Sequence, residues 1–198
     1  MKKFFLSSSF ANVAEHSEAF VGEELTGKTL TFIPTASIPE EDKAYVEDDK
    51  KAFERLGLIV EELDISSSTI NHIKKTIKKN DFIYPSGGNT FYLLQELKIS
   101  GTDKIILEEI KNGKLYIGAS AGSIITTKNI GYIAKMDDRG KARNLTDYNA
   151  LNLVDFYVLP HHTNEPFTKV VEEIILDYSN KIDLIPISNT EVVQVKGE

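Results

Sequence analysis

The 198-residue chain contains no cysteine. That absence excludes thiol nucleophiles, thiolate-bound metals and disulfide bonds, and it suits a reducing cytosol. Basic charge is also scarce: 23 Lys and Arg stand against 30 Asp and Glu, for a formal net charge of -7. With no Lys/Arg stripe interleaved with aromatics, binding to nucleic acid or to an anionic membrane is not expected. No apolar run approaches the ~20 residues needed to span a bilayer. The opening "MKKFFLSSSF" has the two lysines of a signal peptide, but its apolar run is too short and no small-residue cleavage site follows, so it reads as a first strand. A soluble, cytoplasmic protein acting on a small molecule or a peptide is the expectation, without cofactor or metal. Oligomeric state has no signal in the chain.

What is present is ordinary for a globular protein, with 41% hydrophobic and 27% charged residues. The length fits one domain over 1–198 with a sizeable core. Strand-like runs alternate with helix-like segments. "KKFFLSS" precedes a helix over Asn12 to Glu24, "TLTFIPTAS" precedes one over Glu40 to Leu56, and "GLIVEELDI" precedes one capped by Ser68 or a neighbour. "DFIYPSGG" then leads into helices over Thr90 to Leu97 and Thr102 to Lys111, and "KLYIGAS" into the segment after Ser120. The last third offers the strands "FYVLPHH", "DLIPIS" and "EVVQV". Between the first two, Phe167, Val170, Val171, Ile174, Ile175 and Tyr178 share one helical face. This alternation predicts an α/β fold, a mostly parallel sheet with helices on both faces in three layers. The polar stretch 130–149 breaks the pattern and reads as an excursion, a hairpin turning at "DDRG".

In open parallel sheets, sites form at the carboxyl ends of strands. Ser120 sits at such an end, within Gly118-Ala119-Ser120-Ala121-Gly122, a G-x-S-x-G elbow between an apolar run and a helix start. A merely tight turn with Ser120 as helix cap is the alternative. A serine hydroxyl needs a positioned base. Of the histidines, His16 and His72 fall on surface helices, whereas His161 and His162 follow the strand "FYVLP" on the same edge as Ser120. If that segment is extended, only one of the pair faces the serine. In "YPSGGNTFYLL", Gly87 and Gly88 free the backbone to present N–H groups, and Gly88 with Ala121 would supply an oxyanion hole. The alternatives there are a turn with Asn89 or Thr90 capping the helix, or a phosphate cradle.

The blocks "SGGNTFYLL", "IGASAGSII" and "ALNLVDFYVLPHHTN", in this order, resemble peptidase E, the aspartyl dipeptidase family of serine peptidases, and more distantly the cyanophycinases. The resemblance implies a class I glutamine amidotransferase-like, flavodoxin-like fold and a serine-type exopeptidase for short peptides, among them dipeptides with N-terminal aspartate. By position it implies Ser120 as nucleophile, His161 as base, and Gly88 and Ala121 as oxyanion donors. For the acidic third member it points to Asp138, with Asp137, Asn189 and Glu191 as alternatives. Substrate contacts fall to Gly87, Asn89, Thr90, His162 and Lys169, the last standing where the family carries an arginine. Another small amide or ester hydrolase, or a binding protein that keeps the fold, are the competing expectations.

Overall fold

A computed structural model describes residues 2–197. In chain order the elements are β1 (Lys2–Ser7), α1 (Phe10–Val13), α2 (Glu15–Val21), β2 (Thr29–Ile33), α3 (Ala44–Arg55), β3 (Ile59–Glu62), α4 (Ile70–Lys79) and β4 (Phe82–Pro85). They continue with α5 (Thr90–Ser100), α6 (Thr102–Lys111), β5 (Leu115–Ala119), α7 (Ala121–Ile124), β6 (Tyr157–Leu159), α8 (Thr168–Tyr178), β7 (Leu184–Pro186) and β8 (Val192–Gly197). Six strands form one sheet in the order β3-β2-β4-β5-β1-β8. Its strands are parallel except β8, which runs antiparallel along β1.

Side chains alternate across a strand, so a strand that is apolar at every position must be covered on both faces. Phe4, Leu6, Ile33, Ile83 and Tyr116 point into one core, under α4, α5, α6 and α8. Their neighbours Phe5, Leu30, Phe32, Phe82, Tyr84 and Ile117 point into the other, under α1, α2 and α3. The result is a three-layer α/β/α sandwich. The second core is aromatic: Phe10 stacks on Phe53 at 3.8 Å between centroids, and Tyr84 meets Phe53 edge-on at 4.7 Å. Such pairs add about 0.5–1.5 kcal/mol each beyond burial.

Three expectations change. The helix expected over Asn12 to Glu24 starts earlier and divides at Ala14 into α1 and α2, because Phe10 must enter the aromatic core. The excursion 130–149 is not a hairpin; it holds two short 3₁₀ turns, Ile130–Ile133 and Arg139–Lys141, and a lone bridge between Asn129 and Asn149. Ile130, Tyr132 and Ile133 are buried, which pulls the segment onto the sheet's helical layer instead of letting it pair with itself. Lastly, β6 does not join the main sheet. Both edges of β1 are taken by β5 and β8, and β6 pairs in parallel with β7 as a separate two-stranded ribbon. The helix over Ile70–Lys79 is capped by Thr69, the neighbour of Ser68, whose hydroxyl accepts from the His72 N–H. No helix among the described residues is long and apolar enough to cross a membrane.

Candidate active site

The carboxyl ends of β1, β4 and β5 open on one edge, and the turn after β5 is the tightest of them. Ser120 has φ 46° and ψ -109°, a conformation a non-glycine residue holds only when its surroundings enforce it, at about 1–3 kcal/mol. Those surroundings are identifiable. The Ser120 N–H donates to the Ser7 carbonyl at 3.0 Å, and the Ser120 carbonyl accepts from the Ser123 and Ile124 N–H groups, opening α7. The flanking glycines are required by contact. A Cβ on Gly118 would lie 2.6 Å from the Gly122 carbonyl oxygen, and one on Gly122 would lie 2.0 Å from the Pro85 carbonyl oxygen. The elbow folds onto itself and onto β4, which leaves the Ser120 side chain to project outward.

His161 meets it there, with Nε2 3.0 Å from Ser120 Oγ. The histidine is carried just past β6 in a left-handed backbone conformation, φ 65°, so the extended alternation expected for "HH" does not apply. Its Nδ1 faces two oxygens, Asn189 Oδ1 at 2.9 Å and Ser8 Oγ at 3.0 Å. The Ser8 hydroxyl proton is already spent on Asn189 Oδ1 at 2.6 Å. Both oxygens therefore act as acceptors toward Nδ1, which fixes the proton on Nδ1 and leaves the Nε2 lone pair for the serine. Ser8 Oγ also accepts from the His161 N–H at 2.8 Å, and Phe167 stacks on the imidazole at 4.5 Å. Burial holds the His161 pKa below the ordinary histidine value, against a smaller upward pull from Asn189, so the ring is neutral at neutral pH.

The other expected residues fall as follows. Asn189 is held by its N–H donating to Asn164 Oδ1 at 2.8 Å, and Glu191 closes the same turn by accepting from the Ser188 N–H at 2.7 Å. Asp138, expected on the histidine, is exposed and makes no hydrogen bond to it. Its carboxylate caps the 3₁₀ turn by accepting from the Gly140 N–H at 2.7 Å, and its carbonyl is held by Asn89 at the start of α5, which fixes this part of the excursion there. Asp137 likewise lies elsewhere, accepting from the Thr90 N–H at 2.7 Å. Asn89 is a structural cap: Oδ1 accepts from the Tyr92 N–H at 2.9 Å, while Nδ2 donates to the Asp138 carbonyl at 3.0 Å. His162 turns away to Glu172, 3.3 Å distant, and Lys169 is exposed on α8. Gly87 does sit beside the serine, where an added Cβ would come 3.4 Å from Ser120 Cβ.

The Ala121 N–H opens α7 and has no intrahelical acceptor. Gly88 has φ 132° and a Cβ there would be 2.2 Å from the Ala36 carbonyl oxygen, so glycine is required. Ser8, Asn164 and Phe167 were not anticipated. The one signal for Ser8 is the serine run at the end of β1, the strand that pairs with β5. Among the described residues, no three or more His, Asp or Glu are grouped to hold a metal ion.

What this arrangement can do is acyl transfer through a serine, and the class it defines is the α/β serine hydrolase. The profile of peptidase family S51 matches residues 4–198. An uncharacterized peptidase of Listeria innocua is 56% identical over 198 residues, covering 100% of this chain and 94% of the relative. Peptidase E of a Nostoc strain is 28% identical over 169 residues, 82% of this chain and 66% of the relative. A solved structure of a candidate peptidase E protein from Listeria monocytogenes EGD-e superposes with a TM-score of 0.92 at 52% identity, over 100% of both chains. The protein belongs to peptidase family S51 and is a serine peptidase.

The orienting group on the histidine makes the pH dependence testable. A mechanism in which His161 takes the Ser120 proton needs the unprotonated ring, and so predicts activity above the His161 pKa that is lost as pH falls through it. With that pKa depressed by burial, the acid limb of kcat/KM lies below the ordinary ~6.5. Replacing Asn189→Asp places a carboxylate on Nδ1 and should raise the limb by about 1–2 pH units. A pH–rate profile for the two proteins checks this.

Proposed function

We propose that the protein is an exopeptidase that cleaves short peptides through a Ser120–His161 mechanism, with Asn189 and Ser8 orienting the imidazole. The observation that carries the reading is the 3.0 Å contact between Ser120 Oγ and His161 Nε2 at a strained strand-to-helix turn. Ser120 Oγ attacks the scissile carbonyl while Nε2 takes its proton. The N–H groups of Gly88 and Ala121 stabilise the oxyanion. His161 then returns the proton to the leaving amine, giving an acyl-serine, and a water activated by the same nitrogen releases the acid. An amide oxygen on Nδ1 orients the ring as a carboxylate does but offsets less of the imidazolium charge, so Asn189→Ala is expected to cost less than loss of Ser120 or His161.

Dipeptides with N-terminal aspartate are the first substrates to try, on the resemblance to aspartyl dipeptidases. The three arginines are Arg55, Arg139 and Arg143. On that same resemblance, in which an arginine follows the histidine, Lys169, exposed on α8, is the cation we assign to an aspartyl side chain. A panel of Asp-X and Ala-X dipeptides and the matching nitroanilides tests the reading. Cleavage of free dipeptides supports it, and turnover confined to simple esters would replace it with the esterase alternative.

A further inference from the structure

His161 lacks the charged partner that its task calls for. When Nε2 takes the Ser120 proton the imidazole becomes a cation, and away from water that charge is costly unless a neighbour meets it. Among the described residues no carboxylate lies in ion-pair range of the ring: Glu172 is 3.3 Å from His162, and Glu191 accepts from the Ser188 N–H at 2.7 Å. The oxygens on Nδ1 belong to a neutral amide, Asn189, and a neutral hydroxyl, Ser8, while Ser120 stands at Nε2. The edge of the ring is thus met only by neutral groups. One of its flat sides is covered by Phe167.

The two centroids are 4.5 Å apart and the planes 21° from parallel, so Phe167 turns the negative face of its π system to the imidazole and not its positive edge. A cation within about 6 Å of an aromatic centroid is attracted by that face, most strongly where water is excluded. The chain is folded to hold the contact. The Asn164 N–H donates to the His161 carbonyl at 3.0 Å and the Phe167 N–H to the Asn164 carbonyl at 2.9 Å, two successive turns that bring residue 167 back over residue 161. Asn164 Oδ1 accepts from the Asn189 N–H at 2.8 Å, which ties the same loop to the group on Nδ1. Phe167 packs on the core that contains Val171 and Ile174, and its carbonyl accepts from the Val171 N–H at 2.9 Å as α8 begins.

We propose that Phe167 is a positioning residue for the serine reaction: its ring fixes the plane of the imidazole, and its π face holds the positive charge that His161 acquires as Ser120 loses its proton. This rests on the Ser120–His161 reading of the site. The contact does part of the work of a carboxylate without lying on Nδ1, where the neutral Asn189 then suffices. It favours the protonated ring, and so pulls the His161 pKa upward against the larger downward effect of burial. Removing it lowers the basicity of Nε2 and moves the acid limb of kcat/KM to lower pH. A base that had only lost its packing and gained water would move that limb the other way, toward the ordinary ~6.5.

The test places phenylalanines with one, three or five ring fluorines at position 167 alone, which keeps the shape of the ring and withdraws the charge of its face in steps. Phe167→Leu removes the face altogether. The His161 pKa is read from its imidazole C–H resonances, identified by their loss in His161→Gln, and the serine from its rate of fluorophosphonate labelling and from kcat and KM on dipeptides. The His161 pKa is expected to fall with each step, by about 0.5–1.5 units from none to five fluorines. Labelling and kcat should fall with it by about 2–30-fold, at unchanged KM and melting temperature, and Phe167→Leu should lose about as much as the five-fluorine ring. A pKa and a labelling rate that do not change with fluorine content overturn the proposal, even where Phe167→Leu is slow, because the ring would then serve by its shape alone. A parent in which Ser120 neither labels nor supports cleavage fails the peptidase reading, and the catalytic role of Phe167 with it. The titration is read in that protein too, so the two failures are told apart.

Discussion

Ser120→Ala is expected to abolish turnover, with kcat falling by about 10⁴-fold or more while the fold is unchanged. Alanine removes the nucleophile and the hydrogen bond to His161 Nε2, yet no elbow contact depends on the hydroxyl: Ser120 joins the turn through its N–H and carbonyl. The variant should melt at or above the parent temperature, since the φ of 46° is strained in both. Separating the two readouts matters. Activity lost with the fold intact assigns chemistry to the hydroxyl, whereas activity retained would make Ser120 a helix cap and nothing more. His161→Gln should lose nearly as much, because a nucleophile and its base act as a unit and their losses do not add.

The second large effect concerns the backbone behind the serine. Gly122→Ala would bring a methyl group to 2.0 Å from the Pro85 carbonyl oxygen, a distance that only movement of β4 or of the elbow relieves. Such movement also disturbs the Gly122 carbonyl, which accepts from the Tyr116 hydroxyl at 2.6 Å inside the core. A destabilisation of about 3 kcal/mol or more is expected, a drop of roughly 10 °C in melting temperature for a chain of this size. Gly22→Ala is the control. Gly22 also has positive φ, 79°, but nothing lies within 4 Å of its would-be Cβ, so only the left-handed conformation is penalised, by about 1 kcal/mol. Thermal melts of the two variants should differ clearly; equal shifts would mean that the elbow is not packed as tightly as described.

The strand and helix succession was legible because each strand is apolar on both faces and each helix is apolar on one, and the two periods differ. Ser120 was legible because the glycines of the elbow are local in sequence, Gly118 and Gly122 lying within two residues of it, although the contact that demands Gly122 comes from Pro85 on β4. His161 could be found as a histidine past a strand end, although the argument from extended alternation was the wrong route to it. The backbone there is left-handed, and its strand pairs with β7 and not with the main sheet.

What could not be read was everything set by strand order. Ser8 reaches His161 across 153 positions, from a strand whose neighbourhood with β5 no local pattern reveals. Asn189 arrives from the turn after β7, and its rival Asp138 could be set aside only once the excursion was seen to dock on α5. Asp137 shows the same limit. Its position in the chain suggested a partner for the histidine, while its position in space is beside Thr90.

The central claim is that Ser120 is the nucleophile and that neutral His161 activates it. The most direct measurement is reaction with a fluorophosphonate followed by peptide mapping. The account predicts one adduct per chain, on Ser120, formed quickly above the His161 pKa and suppressed as pH falls below it, and absent from Ser120→Ala. An adduct on another residue, or labelling of Ser120 that proceeds as fast in His161→Gln as in the parent, would contradict it.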